Sequence, residues 1–592
     1  MPRIKGETQD VEDDTNDTGQ GSGLLHVNDH VRPDTIKKVW DQMYESGSSD
    51  DLLVFGSSNT KVDLSHLHPN QAQIFRLWQI YLENVDPLLK VTHTPTLQPL
   101  IINAASNVAD ISPTMEAVML SIYCVAILSL KEDKCQILFG SAREDLLTCY
   151  QSGCRQALQN CRVLRTGDRD CLTALYLYLI SVRPDTDPRA LSSTLGLAIR
   201  IAHRMGIHNE STNGKCNALE AEMRRRLWWS LVVFDNRISE MFDYKTSTLA
   251  PTWDCRTPSN VNDFEIRPEM KDPPAAHEKP TEAIFSVVRS TLGGIVRHSA
   301  FHRVLTNQTL NTVAKDTRHG FALESSGFVV LEKAMEEKHL AFCNPENPLH
   351  FMTIWTTRGY LSKMKLLELY AKRTSSSAPL TDKQHSAAVS YALSMLNCDT
   401  KLMSSPLTQG YHWLQHFHFP FPAYITVLQE LTKRPTADFA ENAWEVIGEN
   451  YAARLANSRM DLKPIFIVFS WIVLKAWEAC EAFSEQEKPL TLPRVVVDVR
   501  NKLMELRSDF AQSGDVEQQP DSAVDINVED LPLPIPMDFG NQGLWFGAGG
   551  QHLMGSGLFG YPDIPGQTSF DVDMNQVDWT TMDWSSMQAP CW

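Results

Sequence analysis

The chain has 592 residues, more than one hydrophobic core usually organises, so we expect at least two structured parts. Its hydrophobic fraction of 43% suffices for a large packed interior, whereas the formal net charge of −18 at pH 7 disfavours non-specific binding to phosphate backbones. The first residues lack the apolar stretch of a signal peptide, and no apolar run reaches the roughly 20 residues that span a bilayer. We therefore predict an intracellular protein without membrane contact.

Residues 1–65 form the first segment of distinct composition. They contain thirteen acidic and six basic residues among Gly, Ser, Thr and Asn. Such a segment is too polar to bury enough surface to fold. We predict that it is acidic and mostly disordered, with a short helix at 36–44.

From residue 66 to residue 507 the apolar residues recur with a period near 3.6, and no stretch alternates strictly enough to indicate a strand. The first amphipathic helix places five residues on one face, Ile74, Leu77, Trp78, Tyr81 and Val85. The apolar runs at 118–130 and 465–474 predict buried helices. The fold class is therefore all-α: a large multi-helix core, which we divide into a first part at 66–270 and a second at 271–507.

Two consecutive helices are the best defined. The first buries Leu195, Ala198, Ile199, Ala202 and Met205 and ends at Gly206, a residue suited to a helix C-cap. The second runs from 218 to 242 and carries an apolar stripe at alternating steps of four and three, made of Met223, Leu227, Leu231, Phe234, Ile238 and Met241.

The other face of the second helix sets large aromatic residues beside charges. In the structural interpretation Glu222 pairs with Arg225 or Arg226 at helical spacing, Asp235 pairs with Arg237 or another helix, and the tryptophans pack. In the functional interpretation the three consecutive arginines contact phosphate or form a nuclear import signal. We favour the structural one, since three basic residues within an amphipathic helix are a weak signal.

These residues carry a family resemblance. The stretch from 222 to 239 resembles the signature helix of the fungal-specific transcription factor domain, the middle regulatory region of fungal zinc-cluster activators, through Glu222, Arg225, Arg226, Leu227, Trp228, Trp229, Asp235, Arg237 and Ser239. The preceding helix, 195–208, and the Asn-Val-Asn-Asp sequence at 260–263 are also similar to the family, and 416–424 is a weaker match. The chain departs from the family at 242–245, where Phe-Asp-Tyr-Lys replaces a Gly-Arg-Pro turn.

The zinc cluster that the resemblance implies at the N-terminus is missing, because the first cysteine of this sequence is Cys124. The resemblance thus implies a nuclear regulator without a zinc cofactor in this chain. Contact with DNA would come through a DNA-bound partner or relative, or through an N-terminal module absent from an incomplete gene product. A homodimer is also compatible with the resemblance.

Two groups of residues contain side chains that can bind a metal ion. Cys149, Cys154, Cys161 and Cys171 lack the two-residue gap that a zinc knuckle uses, and lie in an apolar helical stretch. His412, His416 and His418 lack the glutamate of the HExxH pattern, and prolines follow at once. No P-loop or Gly-x-Ser-x-Gly elbow occurs. We predict no metal, cofactor or catalytic site, and hence a non-enzymatic protein.

The C-terminal segment, 508–592, contains thirteen acidic residues and neither Lys nor Arg. Large apolar residues alternate with its aspartates, which is typical of a disordered activation segment that binds a coactivator groove. The alternative is a solubilising tail or one that folds back on the core. The candidate anchors of an activation segment are Trp545, Phe546, Phe570, Val577, Trp579, Met582 and Trp584.

Together these features predict a nuclear transcription regulator whose acidic tail contacts a coactivator or the transcription machinery, with a biosynthetic gene cluster or nutrient use as its target. The alternative is a helical adaptor that assembles other proteins and has no direct role at promoters. Nuclear entry distinguishes the two hypotheses.

Overall fold

A computed structural model describes residues 61–186, 188–242, 252–298, 327–376, 381–454, 464–484 and 491–512. These residues form helices and loops, with no strand among them, and this confirms the all-α fold class. The acidic segment before residue 61, including the predicted helix at 36–44, lies outside the described residues. The tail beyond residue 512 does as well.

The first ten helices reach from residue 71 to the end of the predicted signature helix. They are α1 Gln71–Asn84, α2 Asp86–Leu89, α3 Thr94–Ser106, α4 Pro113–Leu128, α5 Glu132–Phe139, α6 Arg143–Asn160, α7 Arg169–Val182, α8 Pro188–Arg204, α9 Glu210–Asn213 and α10 Ala218–Phe242.

Nine further helices follow among the described residues. They are α11 Ile284–His298, α12 Gly327–Met335, α13 Pro348–Ser376, α14 Asp382–Ser404, α15 His412–Gln415, α16 Phe421–Lys433, α17 Ala440–Arg454, α18 Pro464–Ser484 and α19 Arg494–Gln512. Helix α19 extends past residue 508, where we placed the start of the tail, and it buries Val495, Val496 and Val499 near its N-terminus.

Helix α1 is the first amphipathic helix predicted from the sequence, and the structure confirms it. The side chain of Asn70 caps its N-terminus by accepting a hydrogen bond from the Gln73 amide at 3.0 Å. All five predicted apolar residues are buried. That face packs against α4, whose residues from Glu116 to Leu128 are buried on every side, as expected of a core helix.

The signature helix α10 lies between the earlier and the later helices. It packs against α8 on one side and α11 on the other, and α11 in turn packs against α13. The predicted α8 cap is confirmed, since Gly206 adopts a left-handed φ of 70°. The predicted division of the core at residue 270 stays a prediction.

The later helices enclose a large hydrophobic cluster of their own. Its residues come from α13, α14 and α16 to α19, with Tyr424, Val427, Ile447 and Val473 nearly inaccessible to solvent. Helix α18 contains the predicted run 465–474 and contributes Phe469, Ile472 and Val473. Within the described residues no helix is both long and apolar enough to cross a membrane.

Candidate functional site

The resemblance residues of α10 lie in the interior rather than on a charged surface. Leu227 and Trp228 have no exposed surface, Trp229 is 5% exposed, and Arg226 is also fully buried. A nuclear import signal or a phosphate contact needs accessible basic side chains, so Arg226 cannot serve either purpose in this fold. The structural interpretation is the one that the geometry supports.

The predicted pairing of Glu222 with the two arginines is confirmed. Its carboxylate accepts from Arg226 Nε at 3.2 Å and lies 3.5 Å from Arg225 NH1. Arg225 also reaches Glu210 in α9, donating from Nε at 3.2 Å. The first turns of α10 are thereby fixed to α9.

Asp263 is the centre of a buried ion cluster that we call the Asp263 cluster, formed with Arg226, Glu222, Lys90, Asp86 and Glu282. Its Oδ1 accepts from Arg226 NH1 at 2.7 Å, and its Oδ2 lies 3.2 Å from Lys90 Nζ. Its backbone amide donates to Glu282, and its backbone carbonyl contacts His93 Nε2 at 2.9 Å. The last residue of the Asn-Val-Asn-Asp sequence therefore holds that loop against α10.

Lys90 joins the segment after α2 to this cluster. Its ammonium contacts Asp86 at 2.8 Å and Glu282 at 2.8 Å, in addition to Asp263. Lys90 also takes a left-handed φ of 50°, which closes α2 and turns the side chain inward. Residues 173 and 192 positions away in sequence thus contact the same cation.

The pKa values follow from this arrangement. Burial opposes the charge on Lys90, but its three carboxylate partners outweigh burial and raise its pKa. Burial likewise opposes ionisation of Asp263, but Arg226 and Lys90 prevail and lower its pKa. Both groups are charged at neutral pH. Burial raises the pKa of Asp86, the third carboxylate around Lys90. The cluster therefore pairs the buried cations Lys90 and Arg226 with carboxylates from three parts of the fold.

The two signature tryptophans pack against the loop and the neighbouring helices. The Trp228 ring meets Trp253 edge to face at 5.6 Å and His203 of α8 at 5.3 Å. Trp229 donates from Nε1 to the Arg256 carbonyl at 2.8 Å. On its other side it touches α11 at Gly294, where an added Cβ would lie only 2.9 Å from the ring.

The second half of α10 meets the later helices. Arg237 donates from Nε to the Phe417 carbonyl at 2.9 Å and from NH1 to Glu240 at 2.9 Å. Arg237 thus pairs with Glu240, one helical turn ahead, and not with Asp235. The Glu240 carboxylate also contacts Lys363 of α13. The other predicted partner of Asp235, a residue of another helix, stays a prediction. Ser239 Oγ donates to the Asp235 carbonyl at 2.6 Å.

The residues tested as metal ligands are dispersed or buried. The described part of the chain holds no group of three or more His, Cys, Asp or Glu side chains placed to bind a metal ion. Cys161 and Cys171 approach to 2.9 Å between sulfurs, while Cys149 is exposed. The His412 and His416 rings lie 6.3 Å apart at their centroids.

Sequence reasoning missed Lys90, Asp86 and Glu282. Their partners lie up to 192 residues away, so no local spacing reveals them. The available signal was Lys90 itself, a cation within the otherwise apolar run 88–91. The candidate anchors of the tail and the departure at 243–245 lie outside the described residues.

Comparison with known proteins gives the family to which this chain belongs. A family model described as the fungal specific transcription factor domain matches residues 78–308. The transcriptional regulator AacuB of Aspergillus aculeatus is 54% identical over 98% of this chain and 78% of its own length. The transcriptional regulator nsrM of Aspergillus novofumigatus is 47% identical over 95% of this chain and 78% of its own length. The chain belongs to the fungal-specific transcription factor domain family.

A more distant relative is the aurofusarin cluster transcription factor aurR2 of Gibberella zeae, 29% identical over 85% of this chain and 74% of its own length. The matched residues of the fungal-specific transcription factor domain run from α1 into the segment after α11. They include every member of the Asp263 cluster. The cluster therefore lies wholly inside the family domain.

A segment after the matched residues, between α15 and α16, nevertheless contacts the domain. Phe417 packs edge to face on Phe234 of α10 at 5.7 Å, and the Arg183 guanidinium lies 3.6 Å above the Phe417 ring. The weaker match at 416–424 is thus a direct neighbour of the signature helix.

Proposed function

We propose that this protein is a non-enzymatic regulator of transcription that acts in the nucleus on a biosynthetic gene cluster. Membership of the fungal-specific transcription factor domain family carries the proposal, together with two relatives named as transcriptional regulators and one named for the aurofusarin cluster. The buried signature helix supports a regulatory body and offers no catalytic constellation.

In this proposal the helical core is a scaffold that positions the acidic tail. Helix α19 ends at Gln512, and the acidic segment with its aromatic anchors follows. Trp579 and Met582 share a face if the tail becomes helical in a coactivator groove. Contact with DNA is made by a DNA-bound partner or by a module outside this sequence, since the first cysteine is Cys124.

The test is chromatin immunoprecipitation of the tagged full chain, together with transcript levels. The comparison variant deletes 513–592, so that α19 stays intact. We expect promoter occupancy to survive the deletion while transcripts of the bound genes fall. Occupancy at no promoter, with the protein confined to the cytoplasm, would instead support the adaptor hypothesis.

A point-mutant pair sharpens the tail assignment. Trp579→Ala combined with Trp584→Ala removes two aromatic anchors without changing charge, so we expect reporter output to drop about tenfold or more when the tail is fused to a foreign DNA-binding domain. A matched control, Tyr561→Ala, removes an aromatic residue outside the anchor set and leaves output near the wild-type level. Equal output from both variants contradicts the assignment.

A further inference from the structure

A cavity of about 110 Å³ lies beside the second half of α10, enclosed by α11, α13, α14 and the 414–422 segment. Cavities of this order hold a small organic molecule, as one of about 150 Å³ holds benzene. Most of its wall is apolar, and its larger members are Phe285, Leu292, Trp355, Leu414 and Phe419. The space therefore fits a compact ring or branched chain.

Three cations line the same cavity, Arg237, Arg289 and Lys363. Glu240 pairs with two of them and offsets one of their two charges, since it accepts from Arg237 and lies 2.6 Å from Lys363 Nζ. The other carboxylate on the wall, Asp399, is engaged by Arg454. Within the described ranges, no carboxylate lies within ion-pair distance of the guanidinium of Arg289.

Arg289 is half-buried on α11, and its electrostatic neighbours are the phenols of Tyr176 and Tyr360. Burial lowers its pKa, and these neutral groups offset that only in part. His418, on the same wall, has its pKa held well below the usual value by burial and then by the surrounding cations, so its imidazole is neutral and adds no charge of its own. The cavity consequently has an excess of positive charge inside an apolar wall.

We propose that this cavity binds a compact organic acid, with its carboxylate on the Arg289 guanidinium and its apolar body against Phe285 and Trp355. A guanidinium presents two parallel donors to a carboxylate, which makes this pairing both strong and directional. An apolar pocket with one such group orients its ligand in a single way. Binding itself does not depend on the proposed function, but a consequence for transcription does.

Isothermal titration calorimetry of the full chain with benzoate tests the proposal, with benzamide as the neutral probe of the same shape. We expect benzoate to bind and benzamide to bind at least about tenfold more weakly, because it lacks the charge that Arg289 pairs with. Absence of benzoate binding, or equal binding of the two probes, overturns the proposal.

Two variants locate the site. Arg289→Gln removes the cation, and we expect it to weaken benzoate binding about tenfold or more, whereas Arg224→Gln, which removes an arginine paired with Glu220 outside the cavity, leaves binding unchanged. A second variant covers the case in which Arg289→Gln does not fold. Val233→Phe keeps Arg289 but fills the cavity from α10, so we expect it to abolish benzoate binding. Benzoate binding that survives Val233→Phe in folded protein contradicts the site.

A reporter driven by a promoter that the protein occupies separates the two proposals. If benzoate binds and Arg289→Gln prevents it, the cavity assignment stands whatever the reporter does. If neither the wild type nor Arg289→Gln occupies any promoter, the proposed function is rejected, while the calorimetric test of the cavity is unaffected.

Discussion

The two halves of α10 both border buried charge, but they compensate it differently. In the first half, Arg226 has Glu222 and Asp263 within 3.2 Å, so the protein supplies its own counterions. The second half faces a cavity in which Arg289 of α11 has no carboxylate partner among the described residues. The charges of the first half are paired within the Asp263 cluster, which holds the helix in place. The second half borders a cavity and a cation without a carboxylate partner among the described residues. One helix thus connects the Asp263 cluster with a candidate ligand site.

The largest expected loss of stability comes from removing a charge of the Asp263 cluster. Asp263→Asn keeps the shape of the side chain but removes the charge shared by Arg226 and Lys90. Leaving buried cations short of a partner typically costs about 3–5 kcal/mol. The measurement is the free energy of unfolding from urea titration of the full chain.

The control for that change is Asp170→Asn. Asp170 pairs with Arg169 at 2.8 Å but is half exposed, so its loss should cost under about 1 kcal/mol. If Asp263→Asn costs no more than Asp170→Asn, the first half of α10 is not anchored by its ion cluster.

A smaller loss of stability is expected when either of two adjacent valines of α10 is shortened, and its size should differ between the two. Val232 is fully buried, whereas Val233 is half-buried and lines the cavity. Val232→Ala removes packed methyl groups and should cost roughly 2 kcal/mol. Val233→Ala should cost under about 1 kcal/mol, because part of its surface already faces open space. Equal losses in urea denaturation would mean that the cavity is closed in solution.

The smallest expected effect is a pH dependence of the stability that Asp263 contributes. The pKa of Asp263 is lowered in the folded protein, so the unfolded chain holds the proton more tightly. Its stabilising effect is therefore present above the unfolded pKa of about 3.9 and is lost as the pH falls through the folded value. We expect the difference in unfolding free energy between the wild type and Asp263→Asn to shrink below about pH 4. A difference that does not vary between pH 3 and pH 6 contradicts this assignment.

Sequence patterns predicted the parts of this structure that depend on neighbours along the chain. The apolar stripes of α1, α8 and α10 follow from helical periodicity, and the Glu222–Arg226 pair follows from the four-residue spacing. The Asp263–Lys90 contact joins residues 173 apart, and only packing brings them together. The cavity beside Arg289 was equally hidden, because an empty volume has no sequence pattern. The contact of Glu240 with Lys363 likewise depends on packing, because these two residues are 123 apart in the chain.

The Asp263 cluster also constrains the order in which this protein is made. Lys90 leaves the ribosome 173 residues before Asp263 and 192 before Glu282. At a synthesis rate of about 5–20 residues per second, Lys90 waits on the order of 10–40 s for those partners. During that interval the nascent first helices hold a cation with only Asp86 to pair with it. The Asp263 cluster therefore cannot form before Glu282 has been synthesised, and chaperones have this interval in which to bind the unfinished chain.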